Sequence, residues 1–338
     1  MRLQSLVVCF PLLVGVPLVA SPEAAHAASV SVSGYAQAGL PQMAPVGESF
    51  EDEPTEPPAI GSAQATDQLS GDTVSSAAQT EARAELGLLT VSATSSATGG
   101  AYFEFPPPGS SAQGVANPRL HFEDTIRVLA PDPSLSFLPG TLVVRLFLDA
   151  TSAASSGAAT PLSTGGRVEY VMNVGLGNCM GCFDGVFGFL NVDSSGSSVL
   201  GELPPLVFES RPLEFRFDQF VDLQVDLSAI ATAIANSTDP NGVSRASFGG
   251  ELRWGGVVEV RAGAAAAAAI VGGGGAAGPD ESLACSIESI SGIDWCLPVP
   301  EAHSDGLALA ALLSLRAVSR RRARSDRTQC RSIRPLRS

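Results

Sequence analysis

Residues 213–227 read LEFRFDQFVDLQVDL. Leu213, Phe215 and Phe217 alternate with Glu214, Arg216 and Asp218. After Gln219 and Phe220, Val221, Leu223, Val225 and Leu227 alternate with Asp222, Gln224 and Asp226. Successive side chains on an extended backbone point to opposite faces, so the stretch has one apolar face and one charged face, as a half-buried strand does. A helix would scatter the same residues around its circumference. TLVVRLFLDA (141–150), GRVEYVMNV (166–174) and HFEDTIRVLA (121–130) behave alike, and Phe248, Leu252 and Trp254 are spaced by twos around Gly250. Gly, Ser, Asn and Pro punctuate these runs, most clearly at Asp239-Pro240-Asn241-Gly242, a strong reversal signal. No segment here carries a long 3.6-residue repeat. The expected fold is all-β, an antiparallel, jelly-roll-like β-sandwich over residues 86–296.

The flanks read differently. Met1-Arg2, an apolar core at 6–19 and Ala25-His26-Ala27 compose a secretory signal peptide over 1–27, with a cut expected after Ala27. Residues 28–85 read as a disordered arm: GESFEDEPTEPPAIGS (47–62) is acidic and Pro-rich, too poor in apolar surface to offset its ordering entropy. Within it, QTEARAELG (79–87) is helix-tolerant and suits two turns. AAAAAAIVGGGGAAG (264–278) is low-complexity; its literal G-x-G-x-x-G lacks the strand–helix context of a nucleotide loop.

All 20 basic residues are Arg, and nine of them lie between Arg316 and Arg337. From Ala28 to Leu315 stand 10 Arg against 32 acidic residues, a net of −22. Such a body repels nucleic acid and anionic lipid, so no nucleic-acid partner is expected. Only the Arg-rich tail suits acidic headgroups.

Chemistry-bearing residues are few. Once the signal is removed, only His121 and His303 remain, which leaves little for a His-based triad or a multi-His zinc centre. His121 sits in a strand-like run and reads as a satisfied structural or surface histidine. Four body cysteines, Cys179 and Cys182 in CMGC and then Cys285 and Cys296, form an even set suited to disulfides in an exported chain. The expected pairing is 179–182 and 285–296, with cross-pairing, a four-Cys zinc site and a redox CMGC as alternatives.

NVDSSGSSVLGE (191–202) places oxygen side chains at positions 1, 3 and 5, glycine at 6 and glutamate at 12. That is the spacing of a calcium loop, with Asn191, Asp193, Ser195 and Glu202 as ligands. A Ser/Gly-rich strand connection is the plainer reading, favoured by flanks that are not helical. No other cofactor is expected. Paired carboxylates would serve glycoside hydrolysis, but nothing singles out Glu169 and Glu214 from the other acidic residues. A carbohydrate-binding face would draw on Trp254 or Trp295.

The C-terminus has three parts over 297–324, followed by a basic tail at 325–338. Val299-Pro300-Glu301 leads into an apolar, helix-capable run at 306–315, and Arg320, Arg321 and Arg322 follow. Prolines stop a preceding strand, the apolar run partitions into a bilayer, and arginines stay on the cytoplasmic side. This arrangement resembles the PEP-CTERM sorting signal of exported bacterial proteins. The body phrase at 122–157 and SIESISGIDW (286–295) are similar to phrases common in that group. The resemblance implies export, a signal peptidase and an exosortase-like processing enzyme as partners, and cleavage near Pro300-Glu301. It implies a short C-terminal helix inserted in the bacterial inner membrane, transiently or persistently. Ten apolar residues fall short of the roughly 20 of a full span.

The function expected is therefore an exported, non-enzymatic protein of the cell envelope or extracellular matrix, with surface polysaccharide as a candidate partner. A secreted hydrolase with an unlocated carboxylate pair, or a carbohydrate-binding module, stands as the alternative.

Overall fold

The computed structural model describes residues 28–40, 44–68, 74–99, 111–157, 164–177, 183–193, 196–236, 242–263 and 282–299. Their N-terminal part supplies β1 (Ser29–Gly39), β2 (Val46–Asp52), β3 (Ala59–Gln68) and β4 (Ser75–Glu85). Then come β5 (Leu88–Thr98), β6 (Ser111–Val128), β7 (Pro139–Gly157), β8 (Gly165–Leu176) and β9 (Phe183–Asp193). β10 (Gly196–Gly201), β11 (Leu206–Glu209) and β12 (Leu213–Arg216) are short, β13 (Phe220–Asn236) and β14 (Val243–Ala262) long, and β15 (Ile287–Ser289) ends the set. One 3-10 turn, Pro133–Leu135, interrupts them.

The strands build two antiparallel sheets. The first runs β10-β9-β8-β13-β6-β1-β2, with β15 also on β6; the second runs β11-β7-β14-β5-β4-β3, with β12 also on β7. Within them lie the orders β6-β13-β8-β9 and β5-β14-β7-β11/β12. A long hairpin in which β5, β6 and β7 pair back onto β14, β13 and β12, then rolls up, gives this wiring: a jelly roll. The expected antiparallel β-sandwich is present.

Residues 28–85 correct the expectation of a disordered arm. β1 and β2 widen the first sheet beside β6, and β3 and β4 widen the second beside β5. Mean composition misleads here because the burying residues are small. Val30, Val32, Ala36 and Ala38 in β1, and Ala78, Ala82 and Ala84 in β4, face inward at every second position, and all are buried. QTEARAE is thus strand, not helix; burial against a sheet outweighs alanine's intrinsic helix preference. The acidic run finds its place on the rim, where Asp52 and Glu48 accept from backbone amides of β3.

The core is a wedge. Inward positions of β13 run Leu223, Val225, Leu227, then Ala229, Ala231, Ala233 and Ala235, all buried. β14 follows the opposite order in sequence, from Ser244 and Ala246 through Phe248 and Leu252 to Trp254. The two strands face each other from opposite sheets, and their small ends and large ends line up. At the thin end the sheets nearly touch: a Cβ on Gly114 would strike Ala77 O, and one on Gly166 would strike Arg245 O. At the thick end Trp254, Trp295, Phe122 and Phe217 fill the space.

Among the described residues no helix is long and apolar enough to cross a membrane. The expected signal peptide over 1–27, the low-complexity stretch at 264–278 and the tail from Pro300 onward, with its expected short helix, lie outside the described residues.

Candidate functional sites

The thick end of the wedge is closed by residues 282–299. β15 pairs with the end of β6, Ile287 opposite Val128. A disulfide then ties Cys285 to Cys296 with 5.8 Å between the Cα atoms, so this half of the expected pairing is present. The loop it closes drives Trp295 into the core, fully buried. Its ring stacks on Phe122 at 5.6 Å and meets Trp254 edge-on at 5.2 Å. Both indole N–H groups are satisfied: Trp254 Nε1 donates to Trp295 O at 2.8 Å, and Trp295 Nε1 to Asp124 Oδ2 at 2.6 Å. Asp124 has no exposed surface, and it also accepts from the Ser291 hydroxyl at 2.5 Å and the Ser291 amide at 3.3 Å. Three donors converge on one buried carboxylate, which is what makes its burial tolerable.

Val299 is the last described residue, and it is bound to the body. Its amide donates to Trp254 O at 3.0 Å, and its side chain lies over Gly87, which at φ 81 has the left-handed backbone that favours glycine. Of the expected sorting residues, Val299 is thus part of the packed clasp. Pro300, Glu301, Arg320, Arg321 and Arg322 lie outside the described residues, as do Cys179 and Cys182.

The tryptophans correct the expectation of a carbohydrate-stacking face. Trp254 is 1% exposed and Trp295 0%, so neither ring meets a ligand. The calcium loop is corrected too. Residues 191–193 end β9 and 196–201 form β10, with Asn191 opposite Ser198 and Asp193 opposite Gly196. Glu202 follows Gly201, which pairs with Gly188, five positions along β9 from Asp193. At about 3.4 Å per residue this separates them by about 17 Å. Ser195 lies outside the described residues; among those described, no three His, Cys, Asp or Glu residues converge as a metal site. Glu169 and Glu214 stand on the outer faces of different sheets, Glu169 beside Arg167 and Glu214 opposite Thr141.

His121 is more embedded in charge than its sequence context suggests. On the outer face of the first sheet its Nδ1 lies 2.8 Å from Asp226 Oδ1, and its Nε2 lies 3.6 Å from Glu123 Oε2. Burial alone would lower the imidazole pKa. The Asp226 hydrogen bond and the charges of Asp226 and Glu123 outweigh that and raise it above 6.5. A protonated imidazole bracketed by two carboxylates is a structural cross-strand tie, as its row opposite Asp226 in β13 and Ser31 in β1 indicates.

The outer face of the second sheet has a depression of about 710 Å³ that takes in Gly249. Thr90, Ser92, Thr151, Glu81, Asp149 and Glu251 ring it. Gly249 supplies no side chain, and a Cβ there would meet only Val91 O at 3.8 Å, so the floor is open. Sequence reasoning missed this site because five separate strands, distant in sequence, contribute three residues each. Comparison with known protein families, with characterised proteins and with solved structures returns no match.

Proposed function

We propose that the chain is an exported, non-enzymatic protein of the bacterial cell envelope or extracellular matrix, delivered through its C-terminal signal. The observation that carries this reading is the position of Val299. The clasp is complete at that residue, bonded to Trp254, and the Pro-Glu element begins at the next one. A processing enzyme that cuts near Pro300-Glu301 would release a body whose core is already closed. The Cys285–Cys296 bridge supports an oxidising compartment, where such bonds persist. A signal peptidase at Ala27, an exosortase-like enzyme and a passing contact with the inner membrane are the partners this reading requires.

Intact-mass spectrometry of the native protein tests it. The expected species begins at Ala28 and ends near Pro300. A mature soluble protein that still ends at Ser338 overturns the processing step.

The depression over Gly249 favours a second reading, in which matrix attachment runs through a neutral polysaccharide. Hydroxyls of Thr90, Ser92 and Thr151 and the carboxylate of Asp149 offer hydrogen bonds to a sugar. Binding to a glycan panel that is weakened by Asp149→Ala supports this; identical binding by the variant removes the groove from consideration.

A further inference from the structure

Two sheets have four borders, and among the described residues three of them are guarded. β2 carries Glu48, Glu51 and Asp52, so pairing with another copy of itself would set like charges against each other. β3 has two amides already capped across the rim: Ile60 N–H donates to Asp52 Oδ2 at 2.8 Å, and Gln64 N–H to Glu48 Oε2 at 3.1 Å. On the third border β11 and β12 have four residues each, broken by Ser210, Arg211 and Pro212 and preceded by Pro204-Pro205. Short strands and prolines are the other common ways to blunt an edge.

β10 has none of these devices. Its sequence is GSSVLG, six residues without charge or proline, every one exposed. Val199 is 54% and Leu200 61% exposed. Apolar surface continues from the edge onto the sheet. Leu200 lies opposite Phe189, and in the next row Phe187, 52% exposed, lies opposite Val171, 41% exposed. An uncharged edge beside a contiguous apolar patch is the combination that sheets ordinarily avoid presenting to water.

We propose that β10 is a self-association edge: two copies of this chain pair it antiparallel about a two-fold axis, and the first sheet runs from one protomer into the other. A second copy fits because the strand is complementary to itself. With the axis at Val199, that residue faces its own symmetry mate, and Leu200 falls opposite Ser198 on the outer face. The acidic body, net −22 from Ala28 to Leu315, disfavours contact between copies over most of its surface. At the uncharged edge this repulsion is weakest. One unguarded border per chain closes a pair; it does not propagate a filament. The proposal stands whether or not the tail is cleaved.

Sedimentation velocity of the full chain over a series of concentrations tests it. The expected result is a species of twice the chain mass at micromolar concentration. Val199→Lys with Leu200→Lys reduces it to the single-chain mass while far-UV circular dichroism stays that of the parent. If that variant loses its strand signal, Ser198→Lys, which removes no apolar side chain, replaces it. A parent protein that is monomeric throughout overturns the proposal. So does a folded lysine variant that still forms the pair.

Discussion

Trp295 donates its indole N–H to Asp124 Oδ2 at 2.6 Å, a bond that joins the clasp to a central strand across 171 residues of sequence. The two groups depend on each other. Without Asp124 the indole N–H is buried and unpaired; without Trp295 the carboxylate loses one of its three donors and the core its lid. Trp295→Ala is expected to lower unfolding free energy by about 3–5 kcal/mol, and Asp124→Ala by about 1–3 kcal/mol. Denaturant titration measures both. Because the residues share a bond, the double variant should lose less than the sum; strict additivity would show that they act independently.

The Cys285–Cys296 bridge closes a short loop of sequence separation 11. Chain-entropy arguments give such a loop about 3 kcal/mol of stabilisation. Replacing both cysteines by serine should lower the thermal midpoint by that equivalent, and reductant should shift the parent and not the variant. An equal shift in both would mean that another bridge carries the effect.

His121 gives a pH signature with a definite sign. Its folded pKa lies above 6.5, so its contribution is fully present below 6.5 and disappears as pH rises through the raised folded value. The stability difference between the parent and His121→Gln should therefore be largest in mildly acid solution and shrink on the alkaline side. A difference independent of pH would show that the imidazole acts by packing alone.

Two glycines on long strands should respond in opposite ways. A Cβ on Gly166 strikes Arg245 O and lies 3.0 Å from Ser155 N, whereas one on Gly249 meets only Val91 O at 3.8 Å. Gly166→Ala is expected to cost about 1–3 kcal/mol through forced separation of the sheets. Gly249→Ala should be neutral or stabilise by up to about 1 kcal/mol. Chemical unfolding of the pair of variants decides whether the thin end is as tightly closed as its contacts imply.

The alternation at 213–227 is legible because its large apolar residues mark the buried face without ambiguity: Leu213, Phe215, Phe217, Leu223, Val225 and Leu227 are all inside. The jelly-roll core could be anticipated from runs of that kind. The first four strands could not, because Ala and Ser contribute little to a hydropathy average while fitting well where two sheets nearly meet. Asp124 stayed hidden for a related reason. In HFEDTIR it reads as one more charge, although it falls in register with Phe122 and Ile126, which are buried. A carbohydrate-binding alternative draws on Trp254 or Trp295 by residue type alone, although Trp254 falls in register with Phe248 and Leu252, which are buried. The groove over Gly249 had no linear signal, since its lining is drawn from β4, β5, β7 and β14 as well as β3.

The wedge is sealed by the last described stretch of the chain, and that fixes an order of events. Trp295 reaches the core only after it has itself left the ribosome, late in the synthesis of the body. Until then Phe122 and Trp254 line an open mouth, and Asp124 waits there without its partners. Completion of the fold thus reports that the whole length has arrived, up to the residue where the tail begins.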